Sequence, residues 1–202
     1  MKLWQFIAVA RRTLSLFLLL GAIAFTTAET ASGPAATSSI RLFAGPSLCL
    51  PVTWAEDNPT LPHFGWGLGG GAELALGRVI AARLGIDVLW IGSSSVSPEG
   101  ILYRSWEGMR FSLAAGYSFP IGRMSLDVTA GGALTAADYR GTALVFAYPS
   151  LLARADLDIP VMKQGIVRVG LPLELMFRGA YMDFAPGLAA SFAWSFPLGA
   201  QR

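Results

Sequence analysis

A period of two, repeated along most of the chain, is the feature that most restricts how this sequence can fold. From Phe64, the residues Phe64, Trp66, Leu68, Gly70, Ala72, Leu74 and Leu76 occupy one parity, and Gly65, Gly67, Gly69, Gly71, Glu73 and Ala75 occupy the other. After Gly77-Arg78 the pattern resumes, with Ile80, Ala82, Leu84, Ile86, Val88 and Trp90 against Ala81, Arg83, Gly85, Asp87 and Leu89. Alternate side chains of a strand point to opposite faces. The stretch therefore predicts a hairpin with one apolar face and one small or charged face.

Gly65, Gly67 and Gly70 also spell G-x-G-x-x-G, which can open a dinucleotide-binding unit when a strand precedes it and a helix follows. The preceding residues are DNPTLPHFG, whose Pro59 and Pro62 are turn-forming. The rest of the chain repeats the two-residue period, which a nucleotide-binding helix would not. Met109, Phe111, Leu113, Ala115, Tyr117 and Phe119 alternate with Arg110, Ser112, Ala114, Gly116 and Ser118. Met124, Leu126, Val128, Ala130 and Leu134 oppose Ser125, Asp127, Thr129, Gly131 and Thr135. Leu151, Ala153, Ala155 and Leu157 oppose Leu152, Arg154, Asp156 and Asp158, with Pro149 interrupting that strand. Val167, Val169, Leu171, Leu173, Leu175 and Phe177 oppose Arg168, Gly170, Pro172, Glu174, Met176 and Arg178, and a last strand starts at Phe184. With a first strand near Ile40–Leu50, this makes eight. PVTWAEDNPTLPH reads as a polar, proline-bearing loop.

Only 14% of the residues are charged and 53% are hydrophobic, with a mean hydropathy of +0.52. Soluble domains carry about 25% charged residues. Past residue 28 no uncharged apolar run is long enough for a membrane helix, so the deficit fits strands with one face in lipid. Connections alternate long and short, as in a barrel with both ends on one side of a membrane. Mid-strand charges all fall on the parity opposite the apolar one.

Aromatic residues sort by strand end into two belts, of the kind that flank a bilayer. Phe64, Trp66, Trp90, Tyr103, Trp106, Phe177, Tyr181 and Phe184 fall toward the long loops, and Phe43, Tyr117, Phe119, Trp194 and Phe196 toward the short turns. Arg78, Arg123 and Lys163 occupy the turns. Glu56, Asp57, Glu99, Asp138 and Asp183 occupy the loops, with Arg104 and Arg140.

The N-terminus reads as an export signal over residues 1–28: Lys2, Arg11 and Arg12 precede the apolar run Leu14–Phe25, and Thr26-Thr27-Ala28 offers a cleavage site. A membrane anchor or a twin-arginine signal would use the same residues. Without residues 1–28 the charge becomes 12 basic against 13 acidic residues, or −1, in place of the formal +2. Nothing in this balance points to nucleic acid. Residues 29–38 read as a flexible lead-in, and 39–198 as the barrel.

In this pattern the chain resembles the small eight-stranded outer-membrane β-barrels of the OmpA, OmpX and OmpW type, over about residues 39–198. It departs from them at the end, where Phe196 is followed by PLGAQR. The resemblance implies an all-β, antiparallel, up-and-down transmembrane barrel in the outer membrane of a diderm bacterium. Its termini would be periplasmic and its longer loops extracellular. It implies a monomer whose partners are outer-membrane lipid, the barrel-insertion machinery, and an extracellular ligand or host surface.

Eight strands enclose space for side chains or one small ligand. The expected lumen holds Glu73, Asp87, Asp127, Asp156, Asp158 and Glu174 against Arg83, Arg110, Arg154, Arg168 and Arg178. Glu73, Arg83, Asp127, Arg154, Asp156 and Arg168 lie a few residues from the turns and should share one depth. Charges in so narrow a space must pair, so they read as a plug, with a proton or ion path as the sharper alternative. The His-x-Ser pair of small-barrel lipid deacylases is missing, since the sole histidine, His63, precedes Phe64-Gly65. One His and one Cys (Cys49) cannot form a zinc site, the acidic loop residues match no calcium-loop spacing, and no cofactor or catalytic residue is expected. The expected role is structural or surface-interacting. The runner-up is a narrow conduit for small, apolar solutes, with Pro46, Pro149 and Pro172 marking where the wall would open.

Overall fold

The computed structural model describes residues 38–55, 58–62, 64–92, 106–139, 145–178 and 181–198. The expected signal and almost all of the expected lead-in, together with Glu56, Asp57, His63, Glu99, Tyr103, Arg104 and Arg140, lie outside them. Ten strand segments form one antiparallel sheet: β1 (Ser39–Cys49), β2 (Val52–Ala55), β3 (Asn58–Pro62), β4 (Phe64–Leu76), β5 (Val79–Gly92), β6 (Trp106–Ile121), β7 (Met124–Tyr139), β8 (Val145–Pro160), β9 (Gly165–Arg178) and β10 (Tyr181–Pro197). From β4 to β10 neighbours in sequence are neighbours in the sheet, β1 pairs with β4, and β1 pairs with β10 to close it. Eight strands make the wall, because β2 and β3 continue β1 and β4.

Register shows this continuity. Ser39 pairs with Ala75 and Cys49 with Gly65, and the same offset carries Val52 to Pro62 and Thr53 to Leu61. Against β10 the offset that joins Ser39 to Pro197 also joins Val52 to Phe184. Pro51 interrupts the first arm, since it has no N–H to give the ladder, while the Leu50 N–H still donates to the Pro186 carbonyl at 2.9 Å. The expected loop over residues 51–63 is thus in part a hairpin that prolongs the wall. Proline removed ladder bonds there without redirecting the chain.

The other prolines act the same way. The β1–β10 ladder skips Gly45-Pro46 yet resumes in the same register at Ser47↔Ala189. The β9–β10 ladder skips Leu171-Pro172 and resumes likewise. β8 runs straight through Pro149, which pairs with Leu134 of β7, and its ladder to β9 begins one residue below, at Ser150.

Six of the wall strands have 14 to 17 residues, more than the 9–11 a tilted strand needs to cross a bilayer. Their polarity is inverted relative to a soluble barrel. Leu84, Ile86, Phe111, Val128, Leu151, Leu171 and Leu188 face outward and are 43–57% exposed, whereas Glu73, Asp127, Asp156 and Arg168 are each 0% exposed.

One expected outward residue is reversed. Ile80 is fully buried, because a bulge between β4 and β5 pairs Ala75 with Ile80 but Leu74 with Ala82. An extra residue in one strand shifts the parity of everything beyond it. The inverted polarity has a direct test. Replacing Leu84 with Arg at mid-wall should lower folding stability in vesicles by about 2–4 kcal/mol, read by urea titration of heat-modifiable gel mobility. A neutral result would mean that the wall faces water.

Candidate functional site

The lumen is the candidate site, and it is built from the inward parity of every wall strand. At the turn end, Arg168 of β9 is wholly buried. Its Nε donates to Asp158 Oδ1 at 2.5 Å, and its Nη2 donates to Asp158 Oδ2 at 2.8 Å and Asp127 Oδ2 at 3.3 Å. Its Nη1 donates to Glu73 Oε2 at 3.2 Å. Arg41 of β1 sends Nη1 to Glu73 Oε1 at 3.0 Å, Asp127 Oδ2 at 2.9 Å and Asp158 Oδ2 at 3.2 Å. Asp127 belongs to β7, four strands from β1 in either direction around the closed sheet. The Arg41–Asp127 pair therefore bridges opposite walls of the lumen.

Arg83 of β5 reaches Asp156 Oδ2 of β8 at 2.5 Å, and Arg154 Nε holds both oxygens of the same carboxylate at 2.6 and 2.8 Å. Phe43 lies beside two of these cations, its ring centroid 4.6 Å from the Arg83 guanidinium carbon and 5.7 Å from that of Arg168. Such contacts favour the ring face, where the quadrupole is negative. Gly71 makes the space: a side chain there would strike the Leu84 carbonyl and the Phe43 ring.

A second, separate tier lies farther from the turns. Arg110 of β6 donates through Nε and Nη2 to Asp87 Oδ2 at 3.0 and 2.9 Å, and through Nη1 to Glu174 Oε2 of β9 at 2.6 Å. Ser150 Oγ donates to the other Glu174 oxygen at 2.6 Å. Nearer the loops, Leu89, Ile91, Trp106, Ala137 and Met176 form an apolar cluster inside the barrel, with Cys49, Phe146 and Tyr148 against it. Arg178 and Asp183 pair in the same end of the lumen at 2.6 Å. The filling is thus layered: one ion-pair tier of eight charged residues, one of three, then an apolar cap.

The structure brings together Glu73, Arg83, Asp127, Arg154, Asp156 and Arg168 in the first tier, and Asp87, Arg110 and Glu174 in the second. Arg178 belongs to neither and pairs with Asp183. Asp183, expected in a loop, is 4% exposed on β10, since that strand starts at Tyr181 rather than Phe184. Arg41 was absent from the expected set. It falls on the odd parity of β1, so extending the alternation through that strand would have found it.

Among the girdle residues, Trp66 and Trp90 stack at 4.3 Å on the outer wall in directly opposed register. Phe177 is outward on the same side, 39% exposed. Phe119, Trp194 and Phe196 are outward toward the turns, with Tyr117 tilted against Phe119 at 5.2 Å. Two aromatic placements are corrected. Trp106 is 7% exposed and faces the apolar cap, because its parity in β6 is that of Arg110. Phe43 faces the cations, because its parity in β1 is that of Arg41. Strand end alone had assigned both, and parity overrides it.

Arg168 is the pivot of the first tier, and its removal tests the linkage. Arg168→Met should destabilise the folded barrel by about 3–5 kcal/mol, since it leaves three buried carboxylates sharing Arg41 in place of two cations. Adding Asp158→Asn should recover part of that loss in the same urea titration, by coupling between groups in direct contact.

No family model matches the chain, and no curated protein matches it. Among solved structures it is similar to Neisserial surface protein A, with a TM-score of 0.56 and 11% identity over 77% of this chain and 97% of that one. Weaker similarities include Ail, the attachment invasion locus protein of Yersinia pestis, solved with the heparin analogue sucrose octasulfate (TM-score 0.46, 14% identity, 78% of this chain and 99% of that one). Another is the N-terminal β-barrel domain of Pseudomonas aeruginosa OprF (TM-score 0.44, 14% identity, 77% and 97%). The closed eight-stranded wall, its apolar outer face and its charged interior give this chain the fold of the small outer-membrane β-barrels.

Proposed function

We propose that the protein is a non-enzymatic, monomeric integral protein of the outer membrane of a diderm bacterium, whose barrel is an anchor and whose loop end is the working surface. The observation that carries this reading is the bridged lumen. Arg41 joins opposite walls, Arg110 joins β6 to β9, and the Trp106 cluster closes the loop end. A passage would have to displace buried, charge-assisted hydrogen bonds, which are among the stronger ones a protein makes. The signal over residues 1–28 delivers the chain to the insertion machinery, and outer-membrane lipid covers the apolar wall.

The hairpin of β2 and β3 supports a surface role. It continues the wall in the register of β1 and β4 as far as Thr53 and Leu61, so paired strands extend the wall on the loop side. This loop end of the barrel meets an extracellular ligand or host surface.

Planar-bilayer recording of the detergent-folded protein separates the anchor from the conduit. The expected record shows no discrete conductance steps. Steps from the wild-type protein, absent with a mock-folded control, would replace the anchor by the conduit reading.

A further inference from the structure

We propose that the turn end of the barrel binds the anionic headgroups of the phospholipids around it, through a belt formed by Arg78, Arg123 and Lys163. The hairpins β4–β5, β6–β7 and β8–β9 all turn at this end, and each presents one exposed cation. Gly77 and Gly122 take the left-handed conformation, with φ of 66° and 62°. They close tight turns that put Arg78 and Arg123 at the apices. Two of the turns are tied to the next strand. The Ser118 N–H donates to the Arg78 carbonyl at 2.7 Å, and the Ser195 N–H to the Gln164 carbonyl at 2.8 Å.

The exposed charge at this end is cationic alone among the described residues. The nearby acids, Asp127 and Asp158, are turned inward and held by Arg41 and Arg168. The exposed acids Glu107 and Asp138 stand at the opposite end, paired in register across β6 and β7. Each belt of a bilayer-spanning wall meets a different leaflet, so this sorting gives the turn-side leaflet a cationic partner.

Depth fits headgroups rather than bulk solution. Around the cations, Phe119, Ile121, Met162 and Phe196 are 45–54% exposed, a surface that belongs among acyl chains. Trp194 donates its indole N–H to the Gln164 side chain at 3.1 Å. An interfacial ring edge therefore sits level with the residue next to Lys163. The three turns follow one another at two-strand intervals around the wall. A soluble phosphate would meet one cation at a time, whereas a shell of anionic lipid meets all three.

The experiment places detergent-folded protein in phosphatidylcholine bilayers and compares the motional restriction of spin-labelled phosphatidylglycerol with that of spin-labelled phosphatidylcholine. The expected preference for phosphatidylglycerol is about three- to fivefold, from the attraction of a basic residue to an anionic surface, and it should weaken at high salt. R78Q/R123Q/K163Q should bring the two probes to parity, and E107Q/D138N should leave the preference unchanged. Equal restriction with the wild-type protein, or a preference retained by the triple variant, overturns the proposal. Reversal by inorganic phosphate at matched ionic strength would make this a soluble-anion site and would overturn the lipid assignment. Heat-modifiable mobility verifies folding. Should the triple variant not fold, each single variant must lose part of the preference, and three unchanged single variants overturn the proposal.

Discussion

A strand in hydrocarbon has no water to receive its N–H and C=O groups, so neighbouring strands must meet them and the sheet can have no free edge. The pairing of β1 with β10 satisfies that demand, and much else follows from it. Closure with eight strands sets a narrow interior. Period-two alternation then sends half of the side chains into that interior and half into lipid. An outward charge would be costly in the bilayer, and an inward one must find its partner within reach.

The ion-pair tiers are the consequence of that second requirement. Buried pairs are weak evidence for net stability, because desolvation offsets their attraction. Their stronger effect here is on geometry. Arg168 meets three carboxylates from three strands, and Arg41 meets the same three from a strand two away. A one-residue slip of β7 or β9 would turn Asp127 or Arg168 outward, opposing the slip twice, through a charge in lipid and through partners left behind. The network therefore specifies register in a wall where glycine, alanine and proline leave few large cross-strand contacts.

The layered filling assigns different work to the two ends. Near the turns the lumen is charged and the outside carries cations. Near the loops the lumen is apolar around Trp106, and the wall is prolonged by β2 and β3. The first end fits a fixed position against lipid, and the second raises a paired hairpin above it. Fold likeness to Neisserial surface protein A concerns the barrel architecture alone. The functional reading rests on the filled lumen itself.

Alternation by itself determined the eight wall strands, which face of each meets lipid, and the inward placement of Glu73, Asp87, Asp127, Asp156, Arg168 and Glu174, because side-chain direction in a strand is a local property. It would also have placed Arg41, Phe43 and Trp106, had parity been followed ahead of aromatic position. Only the tertiary structure decided the rest. Which carboxylate meets which arginine depends on closure, since Arg41 and Asp127 are 86 residues apart and become partners only when the sheet returns on itself. The inward turn of Ile80 depends on a bulge set by two strands together. The pairing of β2 with β3 exists because register carried up from β1 and β4 outweighs the ladder bonds their prolines remove.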